Sequence, residues 1–225
     1  LLPKNSIIIN GGNSDFRHTQ DLNRQVVAAG MAFIDIGVSG GVWGYQRGFP
    51  LMCGTDTPDA YETIRPVLDI LAAPGGKHAL MGKSGAGHYV KMVHNAIEYG
   101  MMQSIAEGYH LVHDSPFGEH GLDMKNAAEV WQSHSVIDSW LNELARDIVR
   151  ENPDLNGVDG YVAENGEARW ALEVGKAQGI GMPAIQASLD VRKASQTGVT
   201  SYTTKMLAAL RNKFGGHNLN GEGRA

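Results

Sequence analysis

The chain alternates short β-branched runs with helical stretches over its first third and then turns wholly helical. Ser6-Ile7-Ile8-Ile9-Asn10 is an apolar run closed by Gly11-Gly12-Asn13, the pattern of a buried parallel strand ending in a turn. Leu22, Val26 and Ala29 carry helical spacing between Asp15 and Gly30, and Ala32-Phe33-Ile34-Asp35-Ile36 reads as a second buried strand, so the segment forms a βαβ unit. Pro50-Leu51-Met52-Cys53-Gly54 resembles a third strand, and Thr55-Asp56 with Pro58 starts a helix that runs to about Leu71.

From Gly85 onward the period changes. Gly87 to His113 is one long apolar-rich helical stretch without proline, expected to be buried nearly all round. Further helices are predicted over Met124 to His134 with Asp123 as N-cap, Ile137 to Arg150, Glu164 to Gln178, Pro183 to Ser195 and Thr200 to Phe214. The tail Gly215 to Ala225 is rich in Gly and Asn and is expected to be mobile unless it docks. The predicted fold class is α/β followed by all-α, with a domain boundary between residues 83 and 84.

Composition narrows the function. The 225 residues are 42% hydrophobic and 19% charged, enough for one sizeable core or a core plus a small lobe. The formal charge of -5, without a basic stripe, argues against nucleic acid as a partner. No run reaches the roughly 18 apolar residues of a membrane span, and Leu1-Leu2-Pro3-Lys4 has neither the charged nor the apolar part of a signal peptide. The missing initiating Met is expected of the remainder of something longer. A single cysteine, Cys53, excludes an internal disulfide and fits a reducing, cytoplasmic setting. Glycine, at 29 residues, is about twice its usual share, which suggests tight turns or close ligand contacts.

The chemistry concentrates in Lys91-Met92-Val93-His94-Asn95-Ala96-Ile97-Glu98-Tyr99. On a helix Lys91, Asn95 and Glu98 share one face with His94 beside them, and two turns put Lys91 and Glu98 about 10 Å apart along the axis. A desolvated Lys and Glu at that spacing suit an acid/base pair around a small linear substrate, although periodicity alone equally describes a plain polar stripe on a half-buried helix. One His on the stripe gives no metal-ligand set, and no metal is expected. Val38-Ser39-Gly40-Gly41 follows the second strand, where bare backbone N–H groups suit a carboxylate or form a simple tight turn. Gly11-Gly12-Asn13-Ser14 has the same place after the first strand, or else serves to cap the next helix through Ser14. His110 and His113 at a helix end read as surface groups, and Trp131, Trp140 and Trp170 as core.

Ile9-Asn10-Gly11-Gly12-Asn13-Ser14, Asp35-Ile36-Gly37-Val38-Ser39-Gly40-Gly41 and Gly87 through Gln103 resemble decarboxylating 6-phosphogluconate dehydrogenases in their short form, as does Arg211-x-x-Phe214-Gly215-x-His217 near the end. Sister β-hydroxyacid dehydrogenases share the Ser-Gly-Gly turn and a Lys/Asn helix, but not the string from His94 to Tyr99. The resemblance implies a Rossmann-type parallel sheet remainder over residues 1–83 and a helical substrate-binding and dimerisation domain over 84–225. It implies oxidation of 6-phosphogluconate by NADP or NAD, loss of carbon dioxide and release of ribulose 5-phosphate.

By similarity Lys91 is the general base and Glu98 the acid that protonates the enediol. Ser39, Gly40 and Gly41 would hold the carboxylate, while Asn13, His94 and Asn95 bind hydroxyls, Asn13 also lying at the cofactor. Tyr99 and Arg192 would contact the phosphate, and Arg211 and His217 would reach the neighbouring subunit's site, which implies a homodimer or higher oligomer.

Two departures from the family accompany the match. The Gly-x-Gly-x-x-Gly turn for the pyrophosphate is not in these residues, so about 100 residues of the nucleotide domain lie outside the chain, and the chain alone is expected not to bind the cofactor. Asn165 and Glu167 stand where many long-form members carry Lys and Thr near the phosphate. Either Arg169 compensates Glu167, or the substrate is an unphosphorylated sugar acid such as gluconate. A related β-hydroxyacid dehydrogenase and a non-catalytic dimerisation module are the competing readings.

Overall fold

Three branched residues in a row favour an extended backbone, and Ile7–Asn10 forms strand β1. A computed structural model describes residues 2–117 and 121–219. Helix α1 (Phe16–Ala28) leads to β2 (Ala32–Val38), a 3-10 turn at Gly41–Trp43, the short α2 (Gly44–Arg47), β3 (Leu51–Gly54), α3 (Pro58–Ala72) and β4 (His78–Gly82). Then come α4 (Ala86–His113), α5 (Met124–Gln132), α6 (Trp140–Glu151), α7 (Glu167–Ala177), α8 (Pro183–Gln196) and α9 (Tyr202–Gly215). The chain divides into two compact units, Leu1–Asn95 and Ala96–Ala225.

In the first unit the strands lie in the order β1-β2-β3-β4. β1 pairs in parallel with β2, placing Asn10 beside Asp35, and β3 pairs in parallel with β4. The β2–β3 pair is antiparallel, with Asp35 opposite Gly54 and Val38 opposite Leu51. The sheet is thus mainly parallel, as expected, with one antiparallel pair that was not foreseen. The link between β2 and β3 holds only a 3-10 turn and four helical residues, too little for the crossover that a parallel return requires. Ala60, Ile64, Leu68 and Ala72, spaced four apart, give α3 one buried face, and Ile34, Ile36, Leu51 and Cys53 supply the sheet side of that core. β4 was not anticipated, because Ala79-Leu80-Met81 is a brief apolar run between glycines on an edge strand. Asp15, rather than Ser14, caps α1 by accepting the Arg17 N–H.

In the second unit α9 is buried at every position from Tyr202 to Arg211 except Lys205, and a Ser201/Thr204 capping box starts it. Met206, Leu207 and Leu210 meet Leu144, Ala145, Ile148 and Val149 of α6 in the main helical core, with Trp131 and Trp140 packed against it. Asp123 caps α5 as expected, accepting from the Asn126 N–H. α4 is not buried all round: Ile97 is 54% exposed, Met101 42% and Leu111 76%. Of the tail, Leu219 packs against the helical core, and residues 220–225 lie outside the described residues.

Candidate functional site

Gly37 has no side chain, and that decides how closely α4 approaches β2. A Cβ there would lie 2.4 Å from the Cβ of Lys91, so the stem of Lys91 runs directly over the strand. Two residues further, Ser39 begins a turn whose Gly40 and Gly41 both have positive φ, 112° and 53°. Glycine is the residue that adopts these angles without strain, and the Ser39 N–H at the start of the turn donates to the Pro50 carbonyl at 3.0 Å.

Ser39, His94, Asn95 and Lys91 are joined in one chain of hydrogen bonds. The Lys91 ammonium donates to Asn95 Oδ1 at 2.6 Å. The same oxygen lies 3.0 Å from His94 Nδ1 and can only accept, so Nδ1 carries the proton. His94 Nε2 lies 3.2 Å from the Ser39 hydroxyl. The lysine expected to act as base is thus anchored by a neutral amide, and Asn95 is buried while Lys91 and His94 are half-buried. Asn13 is exposed in the turn after β1, where the Gly12 N–H is held by the Asn10 side chain at 3.0 Å. Because β1 and β2 are parallel, this turn and the Ser39-Gly40-Gly41 turn follow the same ends of neighbouring strands.

The second unit holds a different cluster. The Arg192 guanidinium stacks on the Tyr99 ring, 3.4 Å from its centroid, and donates to the Ala163 carbonyl at 3.4 Å. Arg211 reaches Asn165 Oδ1 at 3.5 Å, and the Asn165 N–H donates to the Tyr99 hydroxyl at 3.3 Å. Arg192, Arg211, Tyr99 and Glu167 are all buried. Burial lowers Arg192 to about 10, while Tyr99, Glu98 and Glu167 favour its charge and Arg211 opposes it. Arg211 is lowered by the same burial. Burial also raises Tyr99, and burial with the two arginines lowers His217. Two desolvated guanidiniums thus share one place with the carboxylates of Glu98 and Glu167.

The expected site residues therefore fall into two groups. Asn13, Ser39, Gly40, Gly41, Lys91, His94 and Asn95 belong to the first unit, and Glu98, Tyr99, Arg192, Arg211 and His217 to the second. α4 carries members of both, with Lys91 and Glu98 two turns apart along it. Arg211 and His217 stand within the electrostatic reach of this cluster. Arg169 pairs with Glu164 at 3.2 Å, and Glu167 acts electrostatically on Arg192 and Arg211.

His113 is exposed, as expected of a surface group, and His110 is half-buried. Both rings stack on Tyr202, His110 contacts Thr203 at 2.8 Å, and His113 contacts Asp114 at 2.6 Å. Asp35 and His88 escaped the sequence reading, and the available signal was a lone acidic residue inside an otherwise apolar strand. Burial holds His88 below the ordinary histidine range, against the pull of Asp35. Among the described residues no group of three or more His, Cys, Asp or Glu is placed to hold a metal ion, and no helix is long and apolar enough to cross a membrane.

Residues 1–96 match the model of the NAD binding domain of 6-phosphogluconate dehydrogenase, and residues 87–205 that of the 6-phosphogluconate dehydrogenase C-terminal domain. An NAD(+)-dependent, decarboxylating 6-phosphogluconate dehydrogenase of Haloferax volcanii is 37% identical over 217 residues, covering 96% of this chain and 70% of that protein. A decarboxylating 6-phosphogluconate dehydrogenase of Synechococcus elongatus is 37% identical over 202 residues, covering 85% of this chain and 42% of its own length. The fold matches a solved 6-phosphogluconate dehydrogenase of Plasmodium falciparum with a TM-score of 0.75 at 24% identity, over 92% of this chain and 50% of the other. It also matches 3-hydroxyisobutyrate dehydrogenase of Salmonella typhimurium with a TM-score of 0.71 at 20% identity, over 91% of this chain and 70% of the other.

Proposed function

This chain belongs to the 6-phosphogluconate dehydrogenase family, and from that premise we propose that it takes part in the oxidative decarboxylation of 6-phosphogluconate to ribulose 5-phosphate, with NADP or NAD as oxidant. The observation that carries the reading is Lys91 anchored by a neutral amide beside the Ser39-Gly40-Gly41 turn, with Glu98 two turns further along the same helix. Lys91 takes the proton of the C3 hydroxyl as that carbon is oxidised. The resulting β-keto acid loses its C1 carboxylate as carbon dioxide, Lys91 returns a proton to the carbonyl oxygen, and Glu98 delivers one to C1 of the enediol. Ser39, Gly40 and Gly41 hold the carboxylate before it leaves, and Asn13, His94 and Asn95 take sugar hydroxyls. Arg192 and Tyr99 receive the phosphate, where a planar guanidinium fork is well matched to the oxygens, and Arg211 and His217 reach into the neighbouring subunit's site.

A nicotinamide dinucleotide, when bound, supplies the acceptor for the hydride from C3. Its approach would be at the turn after β1, where Asn13 is exposed to contact it. The same reading assigns residues 1–83 to the nucleotide-binding part and 84–225 to substrate binding and assembly as a homodimer or higher oligomer, in the cytoplasm.

Buried Glu167 favours a second reading. A carboxylate that already faces both arginines competes with a dianionic phosphate and suits an unphosphorylated sugar acid. Release of carbon dioxide and reduction of NADP or NAD, measured with 6-phosphogluconate and with gluconate, separates the readings. Preference for 6-phosphogluconate supports the first and preference for gluconate the second. A stable dimer that turns over neither leaves a non-catalytic assembly module.

A further inference from the structure

Asp35 is an acidic residue inside an apolar strand, and the proton transfers above leave it without a task. Its side chain is fully buried. Oδ1 accepts the Gly85 N–H at 2.7 Å and Oδ2 accepts the His88 N–H at 2.9 Å. Gly85 immediately precedes α4 and His88 is its third residue. One carboxylate on a neighbouring strand thus satisfies the two N–H groups that a capping box satisfies with two side chains of the helix itself. Residue 85 has no side chain to do this, and its φ of 92° belongs to glycine. A negative group at a helix N-terminus also gains from the helix dipole.

Glycines make the room. A Cβ on Gly54 would lie 2.7 Å from Asp35 Oδ1, and one on Gly87 would lie 2.8 Å from Asp35 Oδ2. Further along the strand Gly37 admits the Lys91 stem, and Ser39 meets His94. Residues 35, 37 and 39, which share one face of the chain by alternation, therefore meet residues 85 and 88, then 91, then 94 of the helical segment in order.

We propose that Asp35 is a positioning residue for Lys91: by capping α4 from across the strand it fixes how far the helix slides and turns on β2, and hence where the Lys91 ammonium stands relative to the Ser39-Gly40-Gly41 turn. The proposal rests on the reading of Lys91 as the base.

Asp35→Asn keeps the shape but sets an NH2 group against a backbone N–H. Hydrogen exchange followed by mass spectrometry reads the cap without turnover, and NMR of 13C-methylated lysines reads Lys91, its signal assigned through Lys91→Arg. In Asp35→Asn the amides of residues 85–94 exchange about tenfold faster, as expected for one lost hydrogen bond, while those of α9 are unchanged. The Lys91 signal moves and that of Lys213 does not. kcat falls about a hundredfold, the cost of a displacement of roughly 1 Å, with KM for the sugar acid within about threefold. Gly37→Ala, which keeps the cap but presses on the Lys91 stem, gives the same split, and the double variant loses little more than either single one.

Unchanged exchange at 85–94, an unmoved Lys91 signal, or losses of kcat and KM that merely follow the folded fraction would overturn the proposal. If Asp35→Asn does not fold, an unchanged kcat in Gly37→Ala overturns it. If the complete wild-type enzyme turns over no 6-phosphogluconate, the proposed function fails, and the exchange and NMR measurements still decide the role of Asp35.

Discussion

The surroundings of Lys91 and those of Arg192 handle charge in opposite ways. Lys91 is half-buried, its ammonium donating to an amide oxygen that also lies against His94, whose ring in turn meets Ser39. Arg192 is almost completely buried, stacked on an aromatic ring and set near a second buried arginine. In the proposed function the group that gives and takes protons is the half-buried one. The groups proposed to hold an anion are dry, where each unit of charge counts for more.

The largest effect expected from this division is on turnover. Lys91→Met removes the base and lowers kcat by about a thousandfold, within the usual range for general-base loss, while affinity for the sugar acid stays. Steady-state kinetics on the variant check it, and a comparable rise in KM breaks the comparison.

Arg192→Lys tests the other side. The flat guanidinium that stacks on Tyr99 gives way to a point charge, and KM for 6-phosphogluconate rises about tenfold to a hundredfold, the value of charge-assisted hydrogen bonds. kcat at saturation stays within about threefold. Glu167→Gln sharpens the contrast from within the same cluster: removing a carboxylate that faces both arginines tightens binding of the phosphorylated substrate about fivefold, with no matching gain for gluconate. Isothermal titration with both sugar acids reads this difference.

The smallest effect concerns stability. His88 and His217 are held below the ordinary histidine value of 6.5, both mainly by burial. Below pH 6.5 the unfolded chain takes up protons at these positions that the folded chain refuses. Their contribution is therefore complete above pH 6.5 and is lost as the pH falls, by at most about 1.4 kcal/mol per pH unit for one histidine. Melting temperatures between pH 8 and pH 5 show the decline, and His88→Gln makes it shallower.

Much of this was legible in the sequence, for physical reasons that differ by element. The helix bearing Lys91, Asn95 and Glu98 showed itself because a long proline-free stretch keeps its period. α3 showed itself because Pro58 starts it and its buried positions recur every four residues. The antiparallel turn of β3 was hidden because pairing direction depends on what the connection can span rather than on the strand's composition. β4 was hidden because three apolar residues between glycines carry little signal.

In the site, Ser39-Gly40-Gly41 and Lys91 stood out by position and residue type. Arg192 and Arg211 were marked only by family resemblance, since an arginine on a helix carries no sign of being buried. The placement of Glu167 between charged partners, and of Asp35 beneath α4, depends on contacts between segments dozens of residues apart. No local pattern announces such contacts.

The most direct test of the division between proton transfer and anion holding is titration of 6-phosphogluconate into the Lys91→Met protein by isothermal calorimetry, with wild type alongside. The account predicts the same Kd in both proteins although the variant no longer turns the substrate over. Loss of binding with Lys91 would contradict it, because the lysine would then be holding the substrate rather than moving its proton.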